Sequence, residues 1–256
     1  MVLGRPLVPS RLTSTFSHVG SRPSRTRIGA YVVLTKPRII ELLLITTVPT
    51  MVLAQGGWPD TWLVILTVLG GALAAGGANA INMYIDRDID HLMERTRNRP
   101  LVTGRVSPRN ALIFAVTLEV LAFVVLAASS NVLAGTLAIS ATLFYVFVYS
   151  LWLKRTSRQN IVIGGAAGAA PVLVGWAAVT NNVSWSAVVL FLVIFLWTPP
   201  HFWALAIRHV DEYRAASVPM LPVVETLERT VRTMGIYAVA VALASFALIP
   251  LNDMGV

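Results

Sequence analysis

Long apolar stretches alternate with short polar punctuation along the chain and predict seven helices, near 32–54, 61–85, 110–129, 131–151, 160–180, 184–208 and 232–250. Most are close to the roughly 20 apolar residues that a membrane-crossing helix needs. The joins alternate in character. QGGWPD, SSN and TNNVSW follow the first, third and fifth helices, whereas the other joins are long or basic. The pattern predicts an all-α, multi-pass transmembrane bundle with seven spans. Gly70-Gly71, Gly76-Gly77 and GGAAGAAP at 164–171 lie inside apolar spans, so they read as small-residue surfaces for close helix packing and not as phosphate loops. Pro171 predicts a kink in the fifth span.

Composition agrees: of 256 residues, 56% are hydrophobic and 12% charged, and the mean hydropathy is +0.72. These values exclude an ordinary soluble domain. Cysteine is absent, which removes disulfides, thiolate nucleophiles and Cys-ligated clusters. The net charge of +8 first raises the question of nucleic acid, but its distribution answers it. Seven Lys and Arg lie up to Arg38, six between Arg87 and Arg109, three between Lys154 and Arg158, and four between Arg208 and Arg232, which accounts for all twenty. In an alternating topology every one falls on the same membrane face. By the positive-inside rule that face is cytoplasmic, or its matrix equivalent, and no nucleic-acid partner is expected. Residues 1–28 are Arg- and Ser-rich with no acid, and they read as a disordered basic tail, the alternative being a mitochondrial transit peptide. The expected location is the bacterial inner membrane, with the mitochondrial inner membrane as alternative.

Eight of the twelve acids fall in two segments on that same face: Asp86, Asp88, Asp90 and Glu94, then Asp211, Glu212, Glu225 and Glu228. Asn82, Asp86 and Asp90 are spaced i, i+4, i+8 and stack on one face of a helix end, with Asn79 a turn earlier and Asp88 directed elsewhere. Stacked carboxylates repel and need cations, and hard oxygen donors suit magnesium, which keeps waters and bridges to phosphate oxygens. Arg95, Arg97 and Arg99 follow, with guanidinium forks that match phosphate. The combination reads as a diphosphate site. The plainer alternative is a charge-balanced helix end with Asp–Arg pairs. Glu119 stands alone in the middle of the third span, where an ionisable group is expensive.

The stretch NMYIDRDIDHLMERTRNRPLVTGRVSP resembles the first aspartate-rich motif of the UbiA prenyltransferase superfamily, in the form found in the protoheme IX farnesyltransferase (haem O synthase) family. LTKPRI at 34–39, LKRTSRQNIVIGGAAGAAPVLVGW at 153–176 and TPPHFWALAIRHVDEYRAASVPMLPVV at 198–224 resemble the same family, so the likeness runs from about residue 31 to 224. It implies a helical prenyltransferase domain over 29–256 whose cavity opens at the cytoplasmic face. It also implies dependence on Mg2+, and transfer of a farnesyl group from farnesyl diphosphate to a vinyl group of haem B, giving haem O. The family's usual nine spans imply that C-terminal spans are lacking from this sequence.

By the same resemblance, Asn82, Asp86 and Asp90 are metal and catalytic residues, with Arg95, Arg97 and Arg99 as the basic extension. The superfamily's second motif has two aspartates four apart, whereas this chain has Asp211 beside Glu212, so Asp211 is the expected further metal ligand. Lys36 and Lys154 are candidates for the diphosphate. Tyr149, with Tyr84, Tyr145, Phe202 and Trp203, could face an allylic cation or form an interfacial belt. His201 is a candidate haem contact and His209 an assistant at the second subsite. Expected partners are farnesyl diphosphate, haem B, the lipid bilayer, and a haem A synthase or terminal oxidase assembly. Competing readings are a polyprenyl transferase acting on an aromatic quinone precursor, a cation-coupled transporter, and a structural assembly subunit.

Overall fold

The computed structural model describes residues 26–252. The tail expected over 1–28 therefore lies, up to residue 25, outside the described residues, and Arg27 already opens a helix. Thr26 caps it, accepting the Gly29 N–H at 3.1 Å. This helix, α1 (Arg27–Thr35), is followed by α2 (Pro37–Leu44) and α3 (Thr47–Gln55), which together cover the first expected span. The break has a local cause. Lys36 adopts a left-handed conformation with φ 54°, and Pro37, which lacks an N–H, opens α2 where no donor is required. Gly56, at φ 69°, stops α3.

Among the described residues, five helices are long and apolar enough to cross a membrane: α4 (Thr61–Ile85), α6 (Pro108–Ser129), α7 (Val132–Thr156), α8 (Asn160–Thr180) and α9 (Trp185–Ile207). A single turn, α5 (Arg87–Asp90), follows α4. Beyond α9 come the short α10 (Val210–Ala215) and α11 (Leu221–Val224), then α12 (Leu227–Phe246) and α13 (Ile249–Asn252). The last expected span corresponds to α12. Its first turns carry Glu228, Arg229 and Arg232, which shorten its apolar length. Among the described residues there is no strand.

Capping follows from the sequence. Asp60, Ser107, Asn131, Ser184 and Thr226 each accept a backbone N–H at the start of α4, α6, α7, α9 and α12. Asn131 does more, donating to the Ala177 carbonyl at 2.7 Å and so tying the start of α7 to the end of α8. Between Phe144 and Leu153, α7 runs as a π-helix, a wider turn that reorients the side chains after it.

Small residues set the spacing of the bundle. The most extensive helix pair is α4 with α6. There a Cβ on Gly70 would meet Leu126 Cγ at 2.6 Å, and one on Gly77 would meet Glu119 Oε1 at 2.5 Å and the Ala115 carbonyl at 3.0 Å. Gly175 of α8 lies against the Thr47 carbonyl of α3 in the same way, at 2.8 Å. The buried core is accordingly rich in alanine: Ala74, Ala122, Ala134, Ala138, Ala177 and Ala178 cluster around Leu126 and Val174. A second cluster, around Leu34, Met83, Leu101 and Val106, joins α1, α4 and α6 to the segment before α6.

Close approach at Gly77 is testable. Gly77→Leu forces α4 away from α6, and overpacking of this kind costs about 1–3 kcal/mol. The expected outcome is a lower unfolding midpoint in detergent than the parent. A variant that melts with the parent would show that this helix contact is slack.

Candidate active site

The sequence spacing that stacks Asn82 and Asp86 on α4 is matched by Ser150 and Lys154 on α7, also four apart. The two pairs meet. Asn82 donates through Nδ2 to Asp86 Oδ2 at 2.8 Å and to Ser150 Oγ at 3.2 Å. Lys154 donates to the same Asp86 oxygen in a close ion pair, and Lys36, from the α1–α2 break, donates to Asn82 Oδ1 at 3.0 Å. Asn79 fixes that break by donating to the Thr35 carbonyl at 3.0 Å. Asp86 is fully buried, yet its Oδ1 has no hydrogen-bond partner.

Asp90 is also buried, at 1% exposure, and Arg99 clamps it with one guanidinium nitrogen 2.6 and 2.7 Å from its two oxygens. Burial raises the Asp90 carboxyl from its ordinary range, and Arg99 pulls it part of the way back. Thr96 donates to the Asp90 carbonyl at 2.7 Å, curling the segment so that Arg99 returns to the helix end. Asp88 does point elsewhere, as its spacing predicts. Arg155 grips it with two nitrogens at 2.6 and 2.7 Å and also caps the Ile85 carbonyl at 3.2 Å, so α7 is riveted to the α4 terminus. Those hydrogen bonds hold the Asp88 carboxyl below its ordinary range.

The remaining predicted residues divide. Arg95 reaches the second acidic segment: its backbone N–H donates to Glu212 Oε2 at 3.3 Å and its guanidinium to the Tyr213 hydroxyl at 3.4 Å. His209 joins the same carboxylate at 3.1 Å. Arg97 instead pairs with Glu94 on the surface. Asp211, the expected second metal ligand, has a side chain 96% exposed and pairs with Arg214 at 2.6 Å. Of the adjacent acids it is Glu212 that turns toward the first motif, because on α10 neighbouring residues face different ways. Tyr149 stacks on Tyr145, with ring centroids 5.3 Å apart. His201 stacks on Trp197 at 4.3 Å, with Phe202 edge-on at 5.6 Å, so it is not joined to the charged cluster by any hydrogen bond.

Sequence reasoning missed Ser150, Arg155, Glu212 and Asn160. The first two have a legible signal, since they sit four residues before and one after a lysine already singled out. Asn160 has none: it is fully buried and neither side-chain polar atom has a partner among the described residues, a condition that costs about 1–3 kcal/mol when nothing meets it.

Among the described residues, no group of three or more His, Cys, Asp or Glu converges. Magnesium does not require one, since it binds through one or two carboxylates, waters and substrate phosphates. The all-oxygen set of Asn82, Asp86 and Asp90, with the buried and unpartnered Asp86 Oδ1, fits such an ion.

The profile of the UbiA prenyltransferase family matches residues 43–255. The chain is 54% identical over 243 residues to a protoheme IX farnesyltransferase of Clavibacter michiganensis subsp. michiganensis, covering 93% of this chain and 79% of that protein. It is 54% identical over 244 residues to one of Streptomyces avermitilis, covering 95% and 80%. Two solved structures share the fold. A digeranylgeranylglyceryl phosphate synthase has a TM-score of 0.73 at 20% identity, over 90% of this chain and 80% of that one. A UbiA homolog from Archaeoglobus fulgidus bound to GPP and Mg2+ has a TM-score of 0.68 at 21% identity, over 87% and 78%.

The Asp88–Arg155 rivet makes stability depend on acidity. A depressed carboxyl contributes stability that is present above its unfolded value, near 3.8, and lost as pH falls through the folded one. Unfolding midpoints between pH 7 and pH 3 should therefore fall further for the parent than for Asp88→Asn. The pair is half exposed, so the difference is expected to be about 1 kcal/mol or less. Equal acid sensitivity in both proteins would remove the rivet from the account.

Proposed function

The chain belongs to the UbiA prenyltransferase family, and on that premise we propose that it transfers a farnesyl group from farnesyl diphosphate to a vinyl group of haem B, giving haem O, at the Asn82–Asp86–Asp90 cluster. The observation that carries the reading is the buried network at the end of α4, in which Asn82, Asp86 and Asp90 meet basic side chains from three other segments, with one carboxylate oxygen left over.

Allylic transfer breaks the bond between carbon and the diphosphate oxygen, the electron pair leaving with oxygen, while the vinyl π pair forms the new carbon–carbon bond; the cation left on the other vinyl carbon takes up water and releases a proton, leaving a hydroxyl there. The site must therefore stabilise a polyanion and shield a carbocation. Asn82, Asp86 and Asp90 would hold Mg2+, which when bound supplies Lewis-acid stabilisation of the leaving diphosphate. Lys36, Lys154 and Arg99 surround the same point and offer N–H donors to phosphate oxygens. Arg95 extends this basic rim, held by Glu212 and Tyr213. Tyr149 and Tyr145 present ring faces to the cation, a contact worth about 0.5–2 kcal/mol each. His201, lying flat on Trp197, is our candidate for the haem contact, and His209 acts through Glu212 on the rim.

The clustering of basic residues on one face supports an inner-membrane protein whose site opens to the cytoplasm. Its product would pass to a haem A synthase or to terminal oxidase assembly.

The test is conversion of haem B to haem O in membranes supplied with farnesyl diphosphate and Mg2+. Asp86→Ala and Asp90→Ala are expected to lose at least about 10²-fold in rate, as when a preorganised charge-stabilising group is removed. Asp211→Ala, on the solvent side of α10, should stay within about threefold by the same argument. Wild-type rates in the first two variants would sink the site. Prenylation of an aromatic quinone precursor in place of haem would redirect the acceptor.

A further inference from the structure

We propose that Asn160 and the N-terminus of α8 form a second grip on the substrate diphosphate, facing the aspartate cluster; this rests on the prenyl-transfer reading above.

Asn160 is the first residue of α8, and among the described residues its side chain is spent on nothing. Neither its Oδ1 nor its Nδ2 has a partner, it is 0% exposed, and Gln159 before it makes no capping bond to the helix. An asparagine at a helix start ordinarily caps the chain or meets water. This one caps nothing among the described residues, so its amide is a donor and an acceptor without a protein partner.

Its position is set by its neighbours. Gly164 lies one turn further along α8 on the same face, and a side-chain carbon there would overlap the Tyr149 ring. Asn160 therefore shares the α8 face that presses on Tyr149. Ile161, next in the chain, packs with Ile89 and Met93, which flank Asp90, and Tyr149 and Tyr213 border that cluster. Tyr149 in turn precedes Ser150, which accepts from Asn82. Tyr149 thus links the α8 face that carries Asn160 to the Asn82–Ser150 contact, and the start of α8 is the wall that the proposal assigns to the diphosphate.

The chemistry of this wall suits an anionic oxygen. The helix start carries partial positive charge, and the Asn160 Nδ2 adds a donor beside it. Asp211 does not supply this wall, since it faces solvent and pairs with Arg214. A diphosphate has enough oxygens to engage the aspartate side at one end and α8 at the other.

The probes are inorganic diphosphate with Mg2+, followed as a shift in unfolding midpoint, and steady-state kinetics with farnesyl diphosphate and haem B. Asn160→Asp keeps the shape and favours the helix start electrostatically but repels an anion; Asn160→Leu keeps the size and removes every hydrogen bond. Both should weaken diphosphate binding and raise KM for farnesyl diphosphate about tenfold or more, with KM for haem within twofold and, for the uncharged Asn160→Leu, the ligand-free midpoint unchanged or raised. The proposal is overturned by a rise confined to the haem KM, by unchanged diphosphate binding in both variants, or by a lowered midpoint with unchanged KM, which would mark a structural amide or a buried water. If wild type binds no diphosphate and transfers no prenyl group, the parent reading fails and this one with it. Wild-type transfer that is indifferent to both substitutions removes Asn160 alone.

Discussion

A carboxylate that is wholly buried at the end of a membrane helix must be neutralised by its neighbours, and Asp86 imposes that requirement on three segments at once. Lys154 comes to it from α7, Asn82 from its own helix, and Lys36 joins through Asn82 from the α1–α2 break. Desolvating an ion costs several kcal/mol unless partners compensate, so each of these contacts is a condition on how the bundle closes. Asp90 repeats the demand one turn later and is met by Arg99, which returns from its own loop. The ends of α4 and α7 and the α1–α2 break are thereby held in one place.

Such short polar contacts need close backbones, and glycine and alanine provide them. With Gly77 of α4 against Glu119 and Ala115 of α6, and Gly175 of α8 against Thr47, the helices approach to where short side chains can touch. The left-handed Lys36 belongs to the same logic. A non-glycine residue in that region is strained, and here the strain turns the chain so that Lys36 faces Asn82 while Pro37 starts the next helix. Packing in the membrane interior and charge pairing at its inner face support one another.

Much of this was legible in the sequence, because hydrophobic period and charge sidedness are local properties. The five long helices, the ladder of Asn82, Asp86 and Asp90, and the outward turn of Asp88 follow from spacing alone. Contacts between segments were not legible in the same way. Spacing could not tell that Glu212 and not Asp211 turns toward Arg95, since that depends on how a six-residue helix is docked. Nor could it show that Pro37 would break the first span after Lys36, or that Asn160 would be buried with no partner among the described residues. Those outcomes are set by neighbours distant in the chain.

The charge inventory of the cluster also bears on what it receives. Three basic side chains, Lys36, Lys154 and Arg99, stand around two buried carboxylates, and Lys36 is near enough to feel repulsion from the other two. A site built to hold a coupling cation alone would carry the opposite excess, because an added positive charge would sharpen that repulsion. An anion relieves it. A diphosphate accompanied by a divalent ion brings negative charge to the basic side chains and positive charge to the carboxylates together, which is the one class of ligand that satisfies both halves of this cluster.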